Sequence, residues 1–476
     1  MISELHRRTL TELFDGALGE VIEEITFCLR SGMTPQPSNI PSMSTSDNGM
    51  PSISNSTPFD RNGPLEYSAL LNPPWGDDAA RLIGSFPAER FPMLTKLKEY
   101  ASSEADIASR VLPGTSENGA LIHTAIELWM KYAADAFFRK FGPTAVSTPM
   151  RRETVLRPVL AGLIDDALGI AVIVPVALVH FDFYRFRIAD NAYFIRMQPC
   201  LQRARWSGKA YGANGHDAVL AAATHALVIT GLSIKNGAKT ALAQDLSRPD
   251  HDVREMVDSF FAALRLDLGI ETGYAQEVRL ARGWRAFGRP DLPEVFAVGA
   301  RRYPQHFDDF GWTAVDLPRV SKDQMASVVA IWLQLRELCD QKLDIALRRL
   351  NSAMVREEAA DALLDATIAL EVLLGDGDGQ AISWKLRMRA AALAGIGNNQ
   401  RASSEMFANI KQTYDARSAI VHGGKARKGA ASDVAVAAVA VNALRSVIKL
   451  LLANPQYLDP IKIDSDLLLS VYDPTR

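Results

Sequence analysis

Tyr414-Asp415-Ala416-Arg417-Ser418-Ala419-Ile420-Val421-His422-Gly423-Gly424 is the stretch of this 476-residue chain whose reading decides the fold. It closes a helical segment with an arginine, four spacers, a histidine and two glycines. Glycine readily takes the left-handed conformation that ends a helix, so Gly423-Gly424 is a predicted stop and His422 falls in the last turn.

Outward from this stretch, Lys322 to Leu452 reads as helical almost throughout, in five segments: Gln324 to Arg349, Arg356 to Leu374, Ile382 to Ala394, Ser403 to His422 and Ser432 to Leu452. Short polar or glycine-rich joints separate them, such as Gly375-Asp376-Gly377-Asp378-Gly379 and Gly395 to Asn399. Antiparallel helices with short loops produce this pattern, which predicts an all-α bundle over 322–455 with a tail over 456–476. The Gly-Asp-Gly-Asp-Gly joint has no glutamate at the closing position of a calcium loop and reads as a connector.

Charge is uneven within this region. Ile331 to Gln380 carries five Lys or Arg against ten Asp or Glu, whereas Ala381 to Ala430 carries nine against two. Lys385, Arg387, Arg389, Lys411, Lys425, Arg427 and Lys428 are the expected contacts to a phosphate-bearing polymer, RNA in particular; a merely solubilising face is the alternative.

In the last turn the helix dipole favours imidazolium, and a histidine there can exchange a proton near neutral pH. Arg417, about 140° round an ideal helix from His422, can hold a phosphate bidentately. Because the two do not share a face, a distorted final turn or a second copy of the helix has to complete the site. Ser418 and Tyr414 are expected to position substrate, and Asp415 to orient a neighbouring group. RNA carries its own nucleophile in the 2′-hydroxyl, so this chemistry calls for no metal and no cofactor. The other reading has Arg417 paired with Asp415 or an acid of a neighbouring helix, and His422 capping carbonyls.

The same stretch, preceded by Ala369-Leu370-Glu371-Val372-Leu373-Leu374 and by Ile382-Ser383-Trp384-Lys385-Leu386-x-x-Arg389-Ala390-Ala391, resembles the Apea-like branch of the HEPN superfamily. The resemblance implies a compact helical bundle that often dimerises. In many members it is a metal-independent ribonuclease whose arginine and histidine, four to six residues apart, correspond here to Arg417 and His422. Two positions depart from the pattern. Ser418, usual in this branch, stands where the strongest nucleases more often carry Asn, Asp or His, and Ala381 replaces an acid often found before the Ile-Ser pair. The family context implies RNA as partner, a homodimer through the bundle, and a toxin or anti-phage effector restrained by an antitoxin or by a trigger ligand at the N-terminal region. The competing reading is a non-catalytic HEPN module that binds RNA or a nucleotide, or scaffolds a dimer.

Further out, residues 65–320 read as a mixed α+β domain of unknown ligand. Gly119 to Lys140 is a predicted helix, Gly169 to Val179 a buried strand, and His180 to Ile188 with Ala192 to Met197 a hairpin turning at Asp190-Asn191. Ala226 to Ile229, Leu264 to Leu268 and Val295 to Val298 are further expected strands, and Arg254 to Ala263 a helix. His180, Asp182 and Tyr184 alternate on one strand face, a polar line that suits either solvent or a ligand. No phosphate loop, dinucleotide fingerprint or nucleophile elbow occurs here, and His216 and His225 lack metal-site spacing. Residues 34–64, rich in Ser, Pro, Asn and Gly, read as a flexible linker. Residues 1–31 read as an amphipathic helix on Leu5, Leu10, Leu13, Leu18, Val21, Ile22 and Ile25.

Length bounds the whole to two or three cores, giving an α+β class with a mixed N-terminal part and a helical C-terminal part. A net charge of −3 excludes neither nucleic acid nor small molecules as partners. The apolar run Ala167 to Val179 is shorter than the ~20 residues of a membrane span, so no membrane contact is expected. Three scattered cysteines and no secretory pattern suit the cytoplasm.

Overall fold

The computed structural model describes residues 2–55, 63–71, 86–112, 119–208, 216–248, 250–287, 292–377, 380–397, 399–421 and 433–469. Helix α1 (Glu4–Arg30) is capped by Ser3, whose hydroxyl accepts from the His6 amide at 3.3 Å. Its Leu10, Phe14, Leu18, Val21 and Ile25 fall at helical spacing on one buried stripe. They pack against α2 (Pro92–Ser103), α3 (Ala105–Val111), α4 (Gly119–Phe141) and α5 (Pro149–Ile164) in a continuous core. Phe91, which precedes α2, offers no side-chain cap, and Glu20 of α1 serves instead by accepting from the Met93 and Leu94 amides at 2.7 and 3.1 Å. Residues 1–31 and 92–164, expected in separate segments, thus share one all-helical core.

The expected flexible linker is largely folded. Strand β1 (Gln36–Pro37) pairs with β4 (Leu65–Glu66), and β2 (Ser42–Thr45) with β3 (Pro51–Ser54). The β2–β3 turn closes with the Gly49 amide donating to the Ser46 carbonyl at 2.8 Å, Gly49 taking a φ of +83°. With the Ser46 amide donating to the Met50 carbonyl at 2.8 Å, this is a three-residue loop in which a left-handed glycine follows a tight turn. Met50 and Ile53 are buried against the body of the protein, and burial of these two apolar side chains outweighs the polar composition around them.

Next comes a six-stranded antiparallel sheet in the order β11-β10-β5-β9-β8-β7. Its strands are β5 (Ala167–Pro175), β7 (Arg185–Arg187), β8 (Ala192–Arg196), β9 (His225–Lys235), β10 (Tyr274–Ala281) and β11 (Val295–Arg302). The two-residue β6 (His180–Phe181) leaves this sheet and pairs in parallel with β12 (Arg319–Val320). Central β5 is apolar on both faces because both are covered. Val172 and Val174 meet one core, Ala171 and Ile173 another. Helices α6 (Pro199–Ser207), α7 (Asp217–Ala221) and α8 (Lys239–Ser247) intervene between strands.

Helix α9 (His251–Leu268) lies beneath the sheet. It contains Leu264 to Leu268, expected as a strand; Val253, Val257, Phe260, Phe261 and Leu264 hold the helical period to its end, and the segment continues the helix. Helix α10 (Lys322–Leu338) joins the same core through Met325, Val328 and Trp332, and its Ile331, Leu335 and Leu338 pack against the core of the bundle as well, so it bridges the two. The single helix expected over Gln324 to Arg349 breaks at Cys339, which takes φ +45°, and Asp340 caps the next helix.

The bundle comprises α11 (Gln341–Ala353), α12 (Ala359–Leu374), α13 (Ile382–Ala394), α14 (Gln400–Val421) and α15 (Asp433–Ala453) around one core. Ala262 and Leu266 of α9 enter that core, fusing it to the sheet domain. Arg445 and Lys449 of α15 donate to the last carbonyls of α9, with Lys449 Nζ 2.9 Å from the Asp267 oxygen. Gly269 ends α9 at φ +67°, a left-handed conformation that favours glycine, and the Arg445 guanidinium packs directly over it, with Nη1 2.2 Å from where a Cβ would lie. The expected tail continues the fold over its described part: Ile463, in α16 (Pro460–Ile463), is fully buried in the bundle core. Helix α15, rather than Ala167 to Val179, is the described helix long and apolar enough to cross a membrane, with mean hydropathy 1.8; its Val436, Ala440, Leu444, Val447 and Leu451 fill the bundle core.

Candidate functional site

Helix α14 runs unbroken to Val421 and carries Tyr414, Asp415, Arg417 and Ser418 on its last turns. His422, Gly423 and Gly424, with Lys425, Arg427 and Lys428, lie outside the described residues. Arg417 is half-buried, its guanidinium carbon 5.7 Å from the centroid of the Tyr414 ring three residues earlier. Such a stack holds an arginine in place without neutralising it. Tyr414 itself packs on the bundle core. Asp415 does not pair with Arg417. Its Oδ1 accepts from Arg387 Nη2 of α13 at 3.0 Å, which leaves Arg417 without a carboxylate among the described residues. Ser418 is half-buried beside it.

The expected basic face is smaller than the sequence suggests. Arg389 is 2 % exposed and points inward. It binds Asp464 at 2.6 and 2.9 Å, Asp376 at 2.8 Å and the Leu374 carbonyl at 2.7 Å. The hydrogen bond to Asp464, followed by that to Asp376, raises its pKa against the opposing effect of burial. Arg389 therefore anchors the C-terminal turns and is not available to a phosphate, a correction to its place among the RNA contacts. Lys385 pairs with Asp376 at 2.8 Å, and Arg387 is half-buried with its Nε unpartnered. Lys411 is exposed on α14. Charge counting missed these pairings because Asp464 lies 75 positions from Arg389, and a window of local composition cannot contain it.

Among the described residues no group of three or more His, Cys, Asp or Glu could hold a metal. His225 is buried between the Phe183 carbonyl at 2.6 Å and the Thr224 hydroxyl at 3.0 Å, while His216 caps α7. Burial lowers the His225 pKa, assisted by Arg196 and His180 and opposed by the bond to Phe183. Asp376 of the glycine-rich joint is engaged by Lys385 and Arg389.

No family model, curated protein or solved structure matches this chain.

Proposed function

We propose that the chain is a metal-independent endoribonuclease of the HEPN type, with Arg417 and His422 as its site. The observation that carries the reading is an arginine on the last turns of α14, held by a tyrosine face and without an acid among the described residues, Asp415 being taken by Arg387. In the reaction His422 accepts the proton of a ribose 2′-hydroxyl, whose oxygen attacks the adjacent phosphorus. The bond from phosphorus to the 5′-oxygen breaks, and that oxygen takes up a proton. A cyclic phosphate and a 5′-hydroxyl end result. Arg417 binds the non-bridging oxygens as negative charge builds on them. Ile420 and Val421, 37 % and 51 % exposed, flank the arginine, which suits closure of the site by a second copy of the helix. The biological setting that accords with the resemblance is a cytoplasmic toxin or anti-phage effector whose N-terminal part answers to a trigger or an antitoxin.

The test is incubation of purified protein with total RNA in excess EDTA, comparing wild type with Arg417→Ala and His422→Ala and mapping fragment ends. Cleavage by wild type alone with cyclic phosphate ends is the expected result. Cleavage that survives both substitutions would end the reading. RNA that is bound in a salt-dependent manner but left intact would favour a HEPN module that binds without cutting.

A further inference from the structure

The folded β2–β3 hairpin creates a feature of the middle domain that does not depend on the ribonuclease reading. Its turn reaches over β6, where His180 Nε2 donates to the Asn48 carbonyl at 2.8 Å. Asn48 in turn donates to the Trp312 carbonyl at 3.0 Å, and Trp206 Nε1 donates to Asn55 at 3.2 Å. A Cβ on Gly49 would come within 3.0 Å of His180 Cε1, so the turn sits directly on the imidazole. The hairpin is therefore a fixed wall.

Between this wall and the sheet end lie two adjoining clefts of about 420 and 380 Å³, which share Gly49, Tyr184, Arg196 and Thr224. The first is floored by Phe181 and by His225, whose ring nitrogens are both satisfied by protein groups. Arg196, at the end of β8, and Arg319, at the start of β12, stand at its exposed rim. The carboxylate lining this cleft, Asp182, forms an exposed ion pair with Arg319 at 3.9 Å, beyond hydrogen-bond distance, which a bound dianion can displace. Arg196 has neither an ion pair nor a side-chain hydrogen bond among the described residues. The second cleft is more apolar, bounded by Met43, Pro51, Met197 and Pro199. The Tyr184 ring lines both, its hydroxyl accepting from Gln198 of the second.

We propose that this double cleft binds a small ring-bearing phosphate monoester, with the phosphate between Arg196 and Arg319 and the ring against Tyr184 in the apolar half. Two guanidinium groups on separate strands suit a tetrahedral dianion, which offers oxygens in several directions, better than a planar carboxylate, which one arginine satisfies. The aromatic and methionine-lined half supplies the apolar contact area that small-molecule sites use, with few polar groups to orient the ligand.

Calorimetric titration of the full chain with phenyl phosphate, AMP, inorganic phosphate and benzoate tests the assignment. Phenyl phosphate and AMP bind wild type more tightly than inorganic phosphate or benzoate. Arg196→Ala and Arg319→Ala each weaken the esters by about tenfold or more, the worth of one charge-assisted contact. Tyr184→Ala weakens the esters but not inorganic phosphate. Arg187→Ala, which removes a neighbouring exposed arginine paired with Asp190, changes nothing. All four positions are exposed, and unchanged thermal melting of each variant checks its fold. The proposal is overturned if no probe binds at millimolar concentration, if inorganic phosphate binds as well as the esters, if benzoate binds as well as phenyl phosphate, or if ester binding is indifferent to Arg196→Ala.

Discussion

Arg265 Nη1 of α9 lies 2.6 Å from Oδ1 of Asn351 in α11, and the amide nitrogen of the same Asn351 donates to the Asp258 carbonyl at 3.1 Å. One asparagine thus ties the helix beneath the sheet to the first helix of the bundle. Arg265 is 4 % exposed, and burial lowers its pKa to about 10. Its Nη2 reaches the Thr272 carbonyl at 2.6 Å, but its Nε has no partner. Replacing Asn351 by Ala leaves a buried guanidinium short of an acceptor. The expected loss is about 1–3 kcal/mol in urea denaturation, with the bundle and sheet transitions separating. A variant as stable as wild type would mean that the shared core alone holds the two parts together.

Arg389→Ala removes the cation on which Asp464 and Asp376 converge. Losing these charge-assisted hydrogen bonds to partly exposed carboxylates costs about 1.5–3 kcal/mol, so the melting temperature falls and residues beyond Pro455 become accessible to protease. If instead the variant melts as wild type but binds RNA less tightly, the inward orientation of Arg389 is mistaken.

Asp415→Asn removes the carboxylate that Arg387 pairs with, without altering the shape of the helix. Under the RNA reading, affinity rises and the slope of log affinity against log salt steepens by about one. An unchanged slope places Arg387 off the RNA path.

Lys239, the first residue of α8, is buried beneath Phe287 and Trp129, whose ring centroids lie 4.0 and 5.0 Å from Nζ, and it donates to the Ala286 carbonyl. Burial lowers its pKa from 10.5 to about 8, with Glu294 opposing. Between these values the unfolded chain binds more protons than the folded one, so stability rises with pH there. Relative to Lys239→Met, wild type should gain on the order of 3 kcal/mol from pH 8 to 10.5 in paired urea titrations. A flat difference would mean that water reaches the amine.

His225 has the opposite consequence at acid pH. Its pKa is lowered from 6.5, chiefly by burial, so the unfolded chain takes up the proton first as pH falls. Its contribution is intact above about pH 6.5 and is lost progressively below it. His225→Gln, which retains a donor toward Phe183, should flatten stability between pH 6.5 and 5; an unchanged acid limb would assign it to another group.

Much of the architecture was written in local pattern. The helical period of α12, α13, α14 and α15 and the apolar run of β5 identify those elements to within a few residues, because periodicity belongs to neighbouring positions on one chain segment. The β2–β3 hairpin was not legible in this way, because its Ser, Pro, Asn and Gly content reads as a linker. The Arg417–His422 spacing was visible along the chain too, and of that pair Arg417 falls among the described residues, on the last turns of α14. What only the tertiary structure decided is which way the charges face and what covers what: Arg389 turned inward to Asp464, Asp415 taken by Arg387, α10 shared between the sheet-side core and the bundle, and a polar hairpin made into the wall of a cleft. Each depends on residues brought together across long stretches of chain. Pairing and burial are properties of the folded surface, and composition along a sequence does not record them.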